Sequence, residues 1–218
     1  MRRMLERMIA TLIVSLFACP DCRAAEVIVD VVNSAGHPVQ DAVVTLTPDE
    51  PVSPSAKIPG PPKNAVIDQR NETFVPLVTV LPQGGRLIFR NSDTVLHHVY
   101  SFSQIKQFQF VLSPGAVSTP VIFDKTGLAA IGCNIHDHMI AYVVASASPW
   151  AAISDRDGKV RFEAVPTGMS QLEIWHPELA PGVKPVHQSV DVGSEAKEVS
   201  ATLNLAPPHP RSPHQMDY

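Results

Sequence analysis

Between Gly132 and Met139 the chain reads Gly132-Cys133-Asn134-Ile135-His136-Asp137-His138-Met139, which places a thiol, two imidazoles and a thioether within seven positions. These are soft and borderline metal ligands. Cys133, His136 and Met139 follow one another at intervals of three, so a loop that curls would offer three donors to a single ion. One short loop cannot surround a metal, and a further donor must come from another strand. The upstream stretch Asn91-Ser92-Asp93-Thr94-Val95-Leu96-His97-His98-Val99 supplies a histidine pair where a turn re-enters a strand. His97 and His98 point to opposite faces of an extended strand, so only one can face the site, and alternation alone does not choose between them. His138 is read as exposed, with replacement of Met139 as its alternative role. Taken singly, Met139 would be core filling, His136 a surface imidazole and Cys133 a small buried hydrophobe; the combination at these spacings is what points to a metal. Zinc suits Cys and His but not a thioether, and structural zinc brings more than one Cys. Copper is the better fit.

Other chemistries lack their residues. Gly-x-Ser-x-Gly, paired carboxylates and His-Glu-x-x-His are missing, so the chain is not read as an enzyme. The net charge of −4 over 218 residues gives no basic excess to attract phosphates, which argues against nucleic acid as a partner. His37, His176 and His187 have no companions at ligand spacing and are read as ordinary surface or packing residues.

The elements that must hold the donors are strands. With 44% apolar residues the chain can bury a core, and 21 prolines against 11 glycines disfavour long helices. From Glu26 an apolar run, a turn at Asn33-Ser34-Ala35-Gly36 and a second run from Ala42 to Leu46 predict a β-hairpin. Residues Thr47 to Lys63 hold six prolines and read as a long surface loop. Strands are expected at Thr73–Leu81, Arg86–Asn91, His97–Phe102, Phe108–Leu112, Pro120–Phe123, Leu128–Gly132 and Ile140–Ala145. After Trp150, turns at Asp155-Arg156-Asp157-Gly158 and Pro166-Thr167-Gly168 separate further short strands, the last near Gln188–Val192 and Val199–Leu205. The class is all-β, a sandwich or barrel.

Arg2, Arg3 and Arg7 precede an apolar run from Met8 to Ala18, and Ala24 and Ala25 follow, the pattern of a secretory signal peptide over residues 1–25 with cleavage near Ala24 or Ala25. A lipoprotein box ending at Cys19 is the alternative; the bulky Phe17 opposes it. No apolar run is long enough to span a bilayer, so stable membrane insertion is not expected. The leader removes Cys19 and Cys22 from consideration and implies a periplasmic protein with the single cysteine Cys133. Residues 206–218, with four prolines, read as a disordered tail.

Asn91-x-Asp93 followed by His97, then Cys133-x-x-His136-x-x-Met139, resembles the blue copper site of cupredoxins of the plastocyanin/amicyanin-like kind. Phe74-Val75-Pro76, His97 to Ser103, Gly132 to Asp137 and Trp175-His176-Pro177 further resemble exported proteins often labelled methylamine utilization proteins. Gly36-His37-Pro38 with Ala42-Val43-Val44 is similar to a transthyretin-like or carboxypeptidase-regulatory-like pattern. The resemblance implies a cupredoxin-like Greek-key β-sandwich over 26–148, including the N-terminal hairpin and the Pro-rich loop, and a small β-sandwich module over 149–205. It implies copper held by His97, Cys133 and His136 in a trigonal plane with Met139 as weak axial ligand, and His98 where these domains carry an Asn. The function implied is one-electron transport. Electrons would pass at the edge of His136, beside Ile135 and Ile140, to a transient redox partner such as a c-type cytochrome or a dehydrogenase. Copper delivery without redox cycling and a metal-free structural β-sandwich are the alternatives.

Overall fold

The computed structural model describes residues 24–52, 58–180 and 182–206. The expected leader, apart from Ala24 and Ala25, and the expected tail, apart from Ala206, lie outside the described residues, as do Cys19 and Cys22. Sixteen strands and no helix occur among the described residues, as expected of the all-β class. They are β1 (Ala24–Asn33), β2 (Val43–Pro48), β3 (Asn64–Arg70), β4 (Thr73–Val75), β5 (Val78–Pro82), β6 (Gly85–Asn91), β7 (His97–Ser103) and β8 (Lys106–Leu112). There follow β9 (Val121–Phe123), β10 (Gly127–Cys133), β11 (Ile140–Ser146), β12 (Trp150–Ile153), β13 (Lys159–Pro166), β14 (Gly168–Trp175), β15 (Val186–Val192) and β16 (Lys197–Leu203). None of the described residues forms a helix long and apolar enough to cross a membrane.

Alternating burial builds two sandwiches. In the first, the four-stranded sheet β4-β3-β6-β9 faces the five-stranded sheet β5-β11-β10-β7-β8. Ile67, Leu87 and Phe89 from one sheet meet Val99, Ile131 and Val143 from the other. In the second, β13-β1-β16 faces β12-β2-β14-β15 over Val29, Val44, Leu46, Trp150, Phe162 and Leu172. A small cluster of Val43, Val78, Val80 and Ala151 joins the two.

The expected N-terminal hairpin does not form. β1 lies between β13 and β16, and β2 between β12 and β14, so the two strands sit in opposite sheets. Each buries one face in the same core, and pairing them in one sheet would leave the facing sheet without its central strand. Residues 26–48 therefore share a core with 150–203, whereas the expected division placed them with the 26–148 unit. The expected single strand Thr73–Leu81 is broken into β4 and β5 around Pro76, which has no N–H to donate to a ladder. β3, unforeseen beside the Pro-rich stretch, runs parallel to β6.

Candidate metal centre

The donors gather at one end of the first sandwich. Asn91 shapes the loop before β7: its Oδ1 accepts the Asp93 N–H at 2.9 Å, and its Nδ2 donates to the carbonyls of Val95 (2.8 Å) and Leu112 (3.0 Å). β7 then enters between β8 and β10, pairing Tyr100 with Gly132 and Val99 with Cys133. Alternation along β7 buries His97, Val99 and Ser101 and leaves His98 half-buried, so His97 is the member of the pair that faces the donors. The Asn134 N–H donates to the His98 carbonyl at 3.0 Å, fixing the start of the loop after Cys133, and the Met139 N–H donates to the His136 carbonyl at 3.0 Å, curling the loop back.

Three ligand atoms converge. His97 Nδ1 lies 3.1 Å from His136 Nδ1, and Cys133 Sγ lies 3.8 Å from His97 Nδ1 and 3.5 Å from His136 Nδ1. The point equidistant from the corners of this triangle is about 2.0 Å from each, the length of a metal–imidazole bond. His97 and Cys133 are buried and His136 is partly exposed. Without a cation or a shared proton, two imidazole lone pairs at 3.1 Å would repel, so the donor set fits a soft or borderline metal ion. Met139 is buried in the same core as Cys133. His138 is exposed, as expected, and Asp137 and Ile135 are exposed on the same loop.

Two carboxylates border the triangle. Asp93 Oδ2 lies 3.2 Å from His97 Nε2 and accepts the Glu72 N–H at 2.7 Å. Burial works to raise the Asp93 carboxyl, but hydrogen bonds from Glu72, Thr94 and His97 outweigh it and hold the group below the usual carboxylate range. Burial pushes His97 down against the support of Asp93, favouring the neutral imidazole a metal requires. Beneath the loop, buried Asp68 accepts from Arg70 (2.6 Å), Arg90 (2.7 Å) and Ser92 (3.0 Å), tying β3 to β6. Desolvation opposes its ionisation, yet these bonds bring it down to about 2. In the sequence Asp93 belongs to the Asn91-x-Asp93 pattern without an assigned role, and Glu72 and Asp68 carry no signal of their own. The Asx-type turn at Asn91–Asp93 was the available signal for the first; nothing local marks the other two.

A small cleft of about 200 Å³ borders this site at Cys133 and Met139. A cleft of about 630 Å³ lies at the seam between the sandwiches, bordered by Pro61, Pro62, Val80, Ala151 and Phe162, and contains none of the four expected donors.

Part of the chain is similar to solved copper proteins. A purple cupredoxin from Nitrosopumilus maritimus is 22% identical over 38% of this chain and 98% of its own, with a TM-score of 0.34. Amicyanin from Paracoccus versutus is 17% identical over 47% of this chain and 97% of its own, with a TM-score of 0.35. A copper-containing nitrite reductase from Thermus scotoductus is 23% identical over 44% of this chain and 25% of its own, with a TM-score of 0.34. No protein-family model matches the chain, and no curated protein matches it.

Proposed function

We propose that the protein is an exported cupredoxin-type copper protein that carries single electrons between partners. The reading rests on the convergence of His97 Nδ1, Cys133 Sγ and His136 Nδ1 into a triangle whose centre is about one metal–ligand bond from every corner. Copper would be held by these atoms with the Met139 thioether as a weak fourth donor, and when bound it supplies a one-electron couple on a ligand set acceptable to both oxidation states. The rest is the work of the chain. Burial of His97, Cys133 and Met139 keeps water from the donors, and the Asn91 hydrogen bonds hold the loop so that donors need not move between states. His136, partly open to solvent, offers the edge at which electrons pass, and the exposed Ile135 and Ile140 give an apolar surface for a transient partner. Removal of residues 1–25 takes four basic and two acidic residues and leaves a charge of −6, which suits a basic cytochrome. The leader pattern supports a periplasmic location.

Reconstitution with Cu(II) tests the reading. An intense thiolate charge-transfer band near about 600 nm, with an EPR signal of a single copper class, is expected. Cys133→Ser should abolish the band. A colourless protein, or a band that survives Cys133→Ser, defeats the proposal. A protein that holds copper but does not cycle reversibly between Cu(II) and Cu(I) would be a delivery module instead.

A further inference from the structure

Because Nδ1 of His97 and Nδ1 of His136 turn toward the Cys133 sulfur, each ring directs Nε2 away from the triangle, and on each ring that nitrogen faces a carboxylate, at hydrogen-bond distance for His97 and at ion-pair distance for His136. For His97 it is Asp93 Oδ2 at 3.2 Å; for His136 it is Glu72 Oε1 at 3.9 Å. The two carboxylates belong to one assembly, since the oxygen that faces His97 also accepts the Glu72 N–H at 2.7 Å. The second oxygen of Glu72 reaches His138 Nε2 at 3.7 Å.

The backbone under Glu72 is a separate observation. Asn71 and Glu72 form the two-residue turn between β3 and β4, with φ of 49° and 55°. Such a turn needs left-handed residues at both positions, and the second is ordinarily glycine. A long side chain there opposes the local preference. The strained position is the one whose N–H holds Asp93 and whose carboxylate faces His136, which points from strain to function.

We propose that Asp93 and Glu72 are coupled positioning residues that back the two imidazoles of the metal centre, aiming both Nδ1 atoms at the ion and favouring its more positive oxidation state. The proposal rests on the copper reading above. An anion behind a ligating imidazole raises the basicity of the ring and fixes its orientation. Asp93 is 11% exposed and Glu72 40%, so Asp93 acts through a less screened path and should have the larger effect.

The test uses the full chain loaded with zinc, which has no redox chemistry, and then with copper. In Asp93→Asn the dissociation constant for Zn(II) should rise by about tenfold or more. The Cu(II) to Cu(I) ratio at fixed ambient potential should fall by about tenfold, equivalent to 59 mV for a one-electron couple. In Glu72→Gln and Glu72→Gly both quantities should move in the same directions by at least about threefold. Metal-free Glu72→Gly should unfold at the same or a higher temperature than the wild type, because glycine relieves the turn; a side chain with a merely structural role would not weaken the metal centre while the fold gained. If both Glu72 variants keep the zinc constant and the copper ratio within about twofold of the wild type, the proposal is overturned, and this arm stands even if Asp93→Asn does not fold. If the wild-type chain binds neither ion, the copper reading fails and the proposal falls with it; if it binds both and the variants match it, the proposal alone fails.

Discussion

His97 and His176 are both buried, one in each sandwich, and their ring nitrogens are used differently. His176 Nε2 donates to the Gln40 carbonyl at 3.0 Å, and its Nδ1 accepts the Glu178 N–H at 3.0 Å, so backbone groups engage both nitrogens and fix the tautomer. His97 gives Nε2 to a carboxylate and turns Nδ1 toward a thiol and a second imidazole, where no backbone group meets it. Burial alone therefore does not distinguish the two histidines; the partner of the second nitrogen does. The same contrast holds more widely. In the second sandwich, buried Ser154 bridges the Val39 carbonyl (2.7 Å) and the Ala42 N–H (2.9 Å), closing the backbone on itself. In the first, buried Asn91 and Asp68 brace the loop that leads into His97.

Substitution of each histidine should separate the roles. His97→Ala should weaken zinc or copper binding by more than about 100-fold, beyond the 10–100-fold typical of an outer-shell partner. His176→Ala should leave metal affinity within about twofold and lower stability by about 1–3 kcal/mol, because the Gln40 carbonyl and the Glu178 N–H lose their partner. Competition titration and urea unfolding read the two effects. Equal loss of metal from both variants would break the contrast.

A buried charge should likewise distinguish the first sandwich. With a folded value of about 2 against an ordinary 3.8, Asp68 binds its proton less readily in the native state than in the unfolded one. Its contribution, about 2 kcal/mol, is complete above the ordinary value and is lost as pH falls through the folded one. The stability gap between wild type and Asp68→Asn, measured by urea unfolding across that range, should narrow by this amount on acidification. A gap that does not change with pH would show that the Arg70 and Arg90 pairs do not hold the carboxylate.

How much of this was open to the sequence follows from which contacts are local. Cys133, His136 and Met139 lie on one loop, and their spacing together with the histidine pair upstream was enough to bring the donors to one place on paper. Alternation leaves His97 and His98 open and the resemblance favours His97; the register of β7 against β10 puts His97 on the inward, buried face. The separation of β1 from β2 was hidden because two adjacent apolar runs with a Gly-containing turn read as a hairpin, and only the strands after Trp150 show that each is paired elsewhere. β3 escaped because Ile67, Asp68 and Gln69 are buried in succession, which breaks the alternation that marks a half-buried strand. Glu72 and Asp93 are far apart in sequence and join only through the turn between β3 and β4.

Two glycines, one in each sandwich, extend the comparison, and Gly132 carries the smallest expected effect. A Cβ on Gly158 would lie 2.4 Å from the Val31 carbonyl oxygen and 3.0 Å from the Val39 nitrogen, and the residue has a φ of 73°. Both obstacles are backbone, and the Val31 N–H is itself bonded to the Gly158 carbonyl at 2.8 Å, so nothing can yield without opening the turn. Gly158→Ala should lower stability by about 2–3 kcal/mol, the sum of a left-handed alanine and a forced overlap. A Cβ on Gly132 would lie 2.7 Å from Cζ of Tyr100, also closer than van der Waals contact. That atom is the far end of a half-buried side chain that can swing outward, so Gly132→Ala should lower stability by less than about 1 kcal/mol. Urea unfolding measures both, and the absorption of the copper-loaded protein shows whether Cys133, the next residue, has moved. If Gly132→Ala proves the more damaging, Tyr100 is held in place by the sheet around the donors, and the rigidity of the centre extends to the outer face of β7.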